Sequence, residues 1–520
     1  MHAAIISRRR RHGQPASAHR RPTRHDPPVL RPSALLPFVA LLAACTPTDA
    51  APIRQASLTL QDCRISGVRG PTRCGTWAVP ENPDQPDGRQ IDLKVVVRPA
   101  TDAPVAPDPV FFLAGGPGQG ATEVMAQVSW LGEANEHRDL VFVDMRGTGG
   151  SNKLACAAPD PADLAARLEL DAGLDEVDAC LAALDADTAQ YTTPRFIADL
   201  DAVRAALGYE QINLYGGSYG SRAGLAYIAA HPEHARSAVL DGLAPYALKL
   251  FLTFGEDGRQ ALERLFADCA ADPHCGEAFP DLATRFWPWL DGLRPSDAAQ
   301  ALPTVTIRDP RTGLQSLDVP ISRDAVASAI RGLLYSADMA SLLPLALHQA
   351  IDGDLEPLLA QSLVLGDGME DGMASGLMLS VACLEDIPRI TDEERAIAAA
   401  EPFLGSVLID MFTAACSRWT VGTVPDSLFE PVQSDVPVLL LSGGEDPVTP
   451  VRWAIEAART LPNAILVTVP ATGHIAAGAG CMDEQIATFY DAPADPFVLE
   501  DCDTEIKRPP FFLSFTGPTP

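Results

Sequence analysis

Three glycines enclose one serine in Gly216-Gly217-Ser218-Tyr219-Gly220, between the apolar run INLY and the helical pattern SRAGLAYIAAHPEHAR. A G-x-S-x-G pentamer alone is common. Between a strand and a helix it describes a sharp corner with the serine at a strained tip, where flanking side chains would collide with the turn and the next helix. Such a corner requires a strand that feeds directly into a helix. Apolar runs ending in glycine recur at PVFFLAGG (109–116), DLVFVDMRG (139–147) and SAVLDG (237–242), with helical spacing over 194–207. Strands alternating with helices predict a parallel sheet covered on both faces.

The alternation stops over 246–430, where helical segments dominate and one hairpin is expected at 303–320. It resumes in VPVLLLSGGED (436–446), WAIEAARTL (453–461) and AILVTVPATGH (464–474). Upstream, CGTWAVPEN and IDLKVVVRPA read as antiparallel edge strands. The expected organisation is a leader at 1–44, a core at 45–245 and 431–520 including a C-terminal tail, and a helical insertion at 246–430.

A serine hydroxyl is a poor nucleophile until a base takes its proton. Of the ten histidines, His474 in PATGH follows the last recognisable strand, where a base belongs in such a sheet. The others fall in the leader, on helices, inside the insertion or at the wrong end of a strand. The base needs an acid to fix its tautomer, and the chain order Ser, Asp/Glu, His points to Asp446 in SGGEDPVTP. Glu445 beside it and Asp241 in VLDG are the rivals. The oxyanion formed during attack needs preorganised donors. The N–H groups of Tyr219 and of Gly116 in Ala114-Gly115-Gly116-Pro117-Gly118 are expected to supply them, with Gly115 the alternative to Gly116. The same loop satisfies a loose G-x-G-x-x-A, but the proline inside it argues against a dinucleotide site. No metal or organic cofactor is required.

Acidic residues outnumber basic ones 68 to 39, giving a net charge of −29, which excludes nucleic acid as a partner. Residues 1–33 are basic and Pro-rich. The apolar stretch ALLPFVALLAA then leads into Cys45, too short to span a bilayer and the right length for a signal-peptide core. Leu42-Ala43-Ala44-Cys45 resembles a bacterial lipobox, which implies lipidation of Cys45 and membrane anchorage in the periplasm or cell envelope. Thr46 after it points weakly to the outer membrane. The other ten cysteines form five neighbouring pairs in sequence, which fits disulfides in an oxidising compartment, although spacing cannot fix connectivity. No CxxC appears, so zinc is not expected.

The motifs LAGGPGQG, DMRGTGGS (144–151), YGGSYG, VLDGLAP, LSGGEDPVTP and ATGH occur in order from about 113 to 474. Together they resemble the prolyl iminopeptidase and tripeptidyl aminopeptidase branch of the α/β-hydrolases, with a TAP-like C-terminal region. Ala114 departs from the histidine many members carry there. The resemblance implies an α/β-hydrolase fold with a mainly helical cap at 246–430. It further implies removal of residues from peptides with a free N-terminus, whose ammonium would meet cap carboxylates. By analogy those are Glu385 and Asp386 in VACLEDIP. Asp144 and Arg146 have no derivable reaction role and are expected to brace loops. An exported serine aminopeptidase is therefore the leading expectation. An esterase or amidase with the same triad, and a catalytically silent peptide-binding surface lipoprotein, are the alternatives.

Overall fold

A computed structural model of the protein describes residues 58–520, apart from 159, 161–162, 169, 171–172, 295–301, 371, 421, 496–505 and 517–520. The leader, Cys45 and Cys502 lie outside the described residues.

The strands are β1 (Gln61–Cys63), β2 (Thr72–Pro80), β3 (Gln90–Arg98), β4 (Val110–Leu113), β5 (Leu140–Val143), β6 (Ile212–Gly217) and β7 (Ala235–Asp241). They continue with the hairpin β8 (Thr304–Arg308) and β9 (Gln315–Pro320), then β10 (Val438–Gly443) and β11 (Ala464–Val469). Nine of them form one sheet in the order β1-β2-β3-β5-β4-β6-β7-β10-β11. From β5 to β11 every pairing is parallel, while β1, β2 and β3 add an antiparallel edge. A parallel sheet is covered on both faces, which is why β4, β5, β6 and β10 are buried at every position. Alternate side chains serve opposite cores. Phe111, Leu113 and Leu214 join one cluster, and Val110, Phe112 and Tyr215 join the other.

Two helices matter most near the serine: α1 (Thr193–Leu207) and α2 (Tyr219–Ala230), which starts directly after β6. Among the described residues, 246–430 adds helices and the β8–β9 hairpin but no strand to the sheet. Its helices include α3 (Phe254–Ala271) and α4 (Arg323–Leu333), which pack in a third apolar cluster with Phe286, Leu347 and Phe403. No helix among the described residues is long and apolar enough to cross a membrane.

Four of the five neighbouring cysteine pairs are disulfides: Cys63–Cys74, Cys156–Cys180, Cys269–Cys275 and Cys383–Cys416. Cys481 is also disulfide-bonded.

DMRGTGGS is a brace. Asp144 accepts from the Thr122 N–H at 2.7 Å, the Thr122 hydroxyl at 2.8 Å and the Gly150 N–H at 2.8 Å. Burial still pushes its carboxyl above the ordinary range. Arg146 holds both oxygens of Asp199 on α1 at 2.7 and 2.8 Å and donates to the carbonyls of Glu81 and Gln190. The pair is buried and ties α1 to the loop after β5. Removing one partner strands the other charge in low dielectric. Arg146→Met is therefore expected to destabilise by about 3–5 kcal/mol, measured from the urea midpoint. Arg146→Met combined with Asp199→Leu is expected to regain most of that loss.

Candidate active site

β6 ends at Gly217 and α2 begins at Tyr219, leaving Ser218 alone in the corner at φ 56° and ψ −124°. That region is sparsely populated for a residue with a side chain and costs on the order of 1–3 kcal/mol. The flanking glycines answer a close approach of backbone. A Cβ on Gly216 would stand 2.3 Å from the Gly220 oxygen, and one on Gly220 would stand 2.1 Å from the Leu113 oxygen. The Ser218 N–H donates to the Asp241 carbonyl at 2.9 Å, pinning the corner to the end of β7.

His474 follows β11. Its Nδ1 lies 2.9 Å from Asp446 Oδ2, and its main-chain N–H donates to the Tyr335 carbonyl at 2.8 Å. The Tyr335 ring meets the imidazole edge-on at 5.4 Å. Asp446, after β10, also accepts from the Val448 and Thr449 N–H groups and from the Thr449 hydroxyl, at 2.8, 2.9 and 2.8 Å. Burial would raise its carboxyl, but the imidazole and these donors outweigh it and hold the group below the usual range. Asp446 thus stays ionised against Nδ1, which leaves Nε2 as the basic nitrogen.

The two rival acids have other partners. Asp241 is fully buried and accepts from the Ala476 and Ala477 N–H groups and the Tyr215 hydroxyl, between 2.8 and 3.0 Å. It anchors the backbone just after His474. Glu445 pairs with Arg264 and Arg508.

Ser218, Tyr219, Gly115, Gly116, Thr449 and His474 line one cavity of about 620 Å³. A Cβ on Gly115 would stand 3.3 Å from the Ser218 Cβ, so the loop after β4 abuts the serine. Tyr219 opens α2, whose first N–H groups have no intrahelical acceptor. The rest of the wall is mostly apolar, with Phe112, Val128 and Trp130 from the sheet region and Leu250, Phe251 and Phe254 from the insertion.

Glu385 and Asp386 are not in that wall. Both are fully buried. Asp386 pairs with Arg222 at 2.8 Å and accepts from the Leu250 N–H. Glu385 accepts from the Thr193 N–H at 2.7 Å, the Thr193 hydroxyl at 2.8 Å and the Tyr246 hydroxyl at 3.0 Å. These carboxylates join the insertion to α1 and α2 instead of facing Ser218. A sequence pattern reveals that an acid is present but not that an arginine such as Arg222 lies opposite it. Thr449 escaped the sequence reading, although its place three residues after Asp446 is the spacing of a local side-chain turn. Elsewhere, Asp201, His231 and His234 cluster, but Arg204 holds Asp201 at 2.6 Å and lies beside His234, which makes this an ion-pair cluster.

Comparison with known proteins bears on the fold and the class of enzyme. The family described as alpha/beta hydrolase fold matches residues 108–276, and that described as TAP-like protein matches residues 401–498. The chain is 27% identical to "Serine protease Hip1" of Mycobacterium tuberculosis, over 84% of this chain and 88% of that protein. It is 24% identical to "Tripeptidyl aminopeptidase" of Streptomyces lividans, over 85% of each. It is 28% identical to "Carboxylesterase B" of M. tuberculosis, over 85% of this chain and 89% of the relative.

Glu385 gives this region a pH signature. Burial, above all, pushes its carboxyl up to about 7, and the charge of Asp386 adds to the rise. The folded state then holds a proton that the unfolded chain releases near the ordinary carboxylate range. This stabilisation is complete below about pH 4 and is lost as pH rises towards 7, by on the order of 3 kcal/mol. Glu385→Gln is expected to remove that part of the slope, measured as urea midpoints at pH 5 and pH 8 for both proteins.

Proposed function

This chain belongs to the α/β-hydrolases and is a serine hydrolase, and from that premise we propose that it is an exported peptidase that releases residues from the N-terminal ends of short peptides. Ser218 Oγ attacks the scissile carbonyl while His474 Nε2 takes its proton and then passes it to the leaving amine. Asp446 holds the opposite ring nitrogen and stabilises the imidazolium. The N–H groups of Gly116 and Tyr219 receive the oxyanion. Water, activated by His474, then hydrolyses the acyl-enzyme.

The carrying observation is the 2.9 Å bond between Asp446 and His474 beside a cavity that Ser218 and His474 both line. The cavity volume is that of a small-ligand site, suited to a few residues and not to a folded protein. The names of two relatives, serine protease and tripeptidyl aminopeptidase, support the peptide reading. The disulfides support export. A lipid anchor at Cys45 belongs to the same proposal and rests on the lipobox resemblance.

A second reading, an esterase or amidase on small acyl substrates, is favoured by one observation. None of the described residues lining the cavity is an aspartate or glutamate that would meet a substrate ammonium. One relative is named a carboxylesterase.

Mass spectrometry of products separates the two readings, using peptides with free and acetylated N-termini. Cleavage near free ends only, absent in Ser218→Ala, is the expected result, and the masses give the number of residues released. Hydrolysis of p-nitrophenyl esters with every peptide intact would transfer the assignment to the esterase. Asp446→Asn is expected to lower kcat by about 10⁴ through the wrong imidazole tautomer, with an unchanged melting temperature showing that the fold survives.

A further inference from the structure

Arg331 stands out among the buried arginines. Arg138, Arg146 and Arg222 each meet a carboxylate, Asp108, Asp199 and Asp386 respectively, at 3.0 Å or closer. Arg331 is only 8% exposed, yet no carboxylate among the described residues lies within 4.0 Å of it. Its guanidinium stacks 4.1 Å from the centroid of Phe254 and 5.3 Å from that of Tyr335. Nη2 donates to the Tyr335 hydroxyl at 3.2 Å, and Nε has no acceptor among the described residues. Ring faces offset part of the cost of burying a cation, but they do not replace an anion. In a chain with 68 acidic residues, a buried arginine without one marks a place where the anion is missing.

That place is the wall of the Ser218 cavity. Arg331 and Ser328, one turn apart on α4, both line it. Tyr335 accepts from Arg331 on one side and meets the His474 ring edge-on at 5.4 Å on the other. The guanidinium is thus one side chain removed from His474. With no Asp or Glu among the described lining residues, nothing in the wall repels or competes with an incoming carboxylate.

We infer that Arg331 is the specificity residue of this cavity, binding a carboxylate in the acyl part of the substrate. In an aminopeptidase the cavity beside the nucleophile takes the released N-terminal part, which forms the acyl-enzyme, while the remaining chain leaves. For a peptide, the carboxylate is an aspartate or glutamate side chain within the released residues. A planar guanidinium meets it with paired, charge-assisted hydrogen bonds, and Phe254 and Tyr335 hold the fork in orientation. The inference rests on the reading of Ser218 as nucleophile, but not on peptide over ester.

Two p-nitrophenyl esters with the same five-carbon acyl chain test it: mono-p-nitrophenyl glutarate, which ends in a carboxylate, and p-nitrophenyl pentanoate, which ends in a methyl group. The full chain is expected to favour the glutarate in kcat/KM by about 10- to 100-fold, the range of one charge-assisted pair. Arg331→Met is expected to remove the preference through KM for the glutarate, leaving the pentanoate within about threefold. Arg331→Lys is expected to keep part of it. Equal loss on both esters in Arg331→Met would overturn the inference and leave Arg331 as a prop for Tyr335. Equal or better use of the pentanoate by the unmodified chain would overturn it without any variant, even where Arg331→Met fails to fold. Enzyme-dependent turnover that is undiminished in Ser218→Ala, after the spontaneous hydrolysis of each ester is subtracted, would overturn the nucleophile reading, and this inference with it. A missing preference in a Ser218-dependent reaction overturns the inference alone.

Discussion

The close approach of backbone around Ser218 is the constraint to which the surrounding structure conforms. Gly216 lies against the Gly220 carbonyl, Gly220 lies against the Leu113 carbonyl, and the Ser218 N–H reaches the Asp241 carbonyl. Three adjacent strands, β4, β6 and β7, therefore end in contact at one point. A β-carbon at either glycine would force apart strand ends that the sheet holds together. The loops that carry the candidate donors, acid and base all leave the carboxyl ends of parallel strands, along one border of the sheet. The same crowding recurs further along, where a Cβ on Gly443 would stand 1.9 Å from the Gly473 oxygen.

Around that border the buried charges divide the work. Asp446 faces the imidazole, and Asp241 holds the backbone that follows it. Arg146 with Asp199 fixes α1, and Arg222 with Asp386 joins α2 to the insertion. Each of these groups is costly alone and inexpensive in company, which makes position strict. A pair buried in this way tolerates little displacement, so the histidine and its acid inherit the rigidity of the sheet. Arg331 departs from this rule, because among the described residues its guanidinium meets aromatic side chains and no carboxylate.

Much of this was legible in the residues. The elbow, the parallel order and the antiparallel edge of β2 and β3 follow from local chemistry: glycines at a corner, apolar runs of strand length, and helical spacing between them. The expected hairpin at 303–320 corresponds to β8 and β9. Asp446 could be ranked above Asp241 by chain order, but only the hydrogen bonds show what Asp241 does. Glu385 and Asp386 mark the limit of such reading. Whether an acid faces a ligand or an internal partner depends on residues such as Thr193 and Arg222, which are far away in sequence and adjacent only after folding. Arg331 was invisible for the same reason, since the missing partner of a charge has no sequence signature.

The positions of Ser218 and His474 along the chain have a temporal consequence. The serine and its corner belong to the first half of the chain, while β10, Asp446, β11 and His474 come near its end. The strand that carries the acid pairs with β7, so the C-terminal segment must return to a sheet whose other members precede it by some 200 residues. Until that return, a growing chain presents Ser218 without the imidazole of His474. A hydrolase arranged in this order remains inert while the chain is being made, and gains its chemistry only with the last strands.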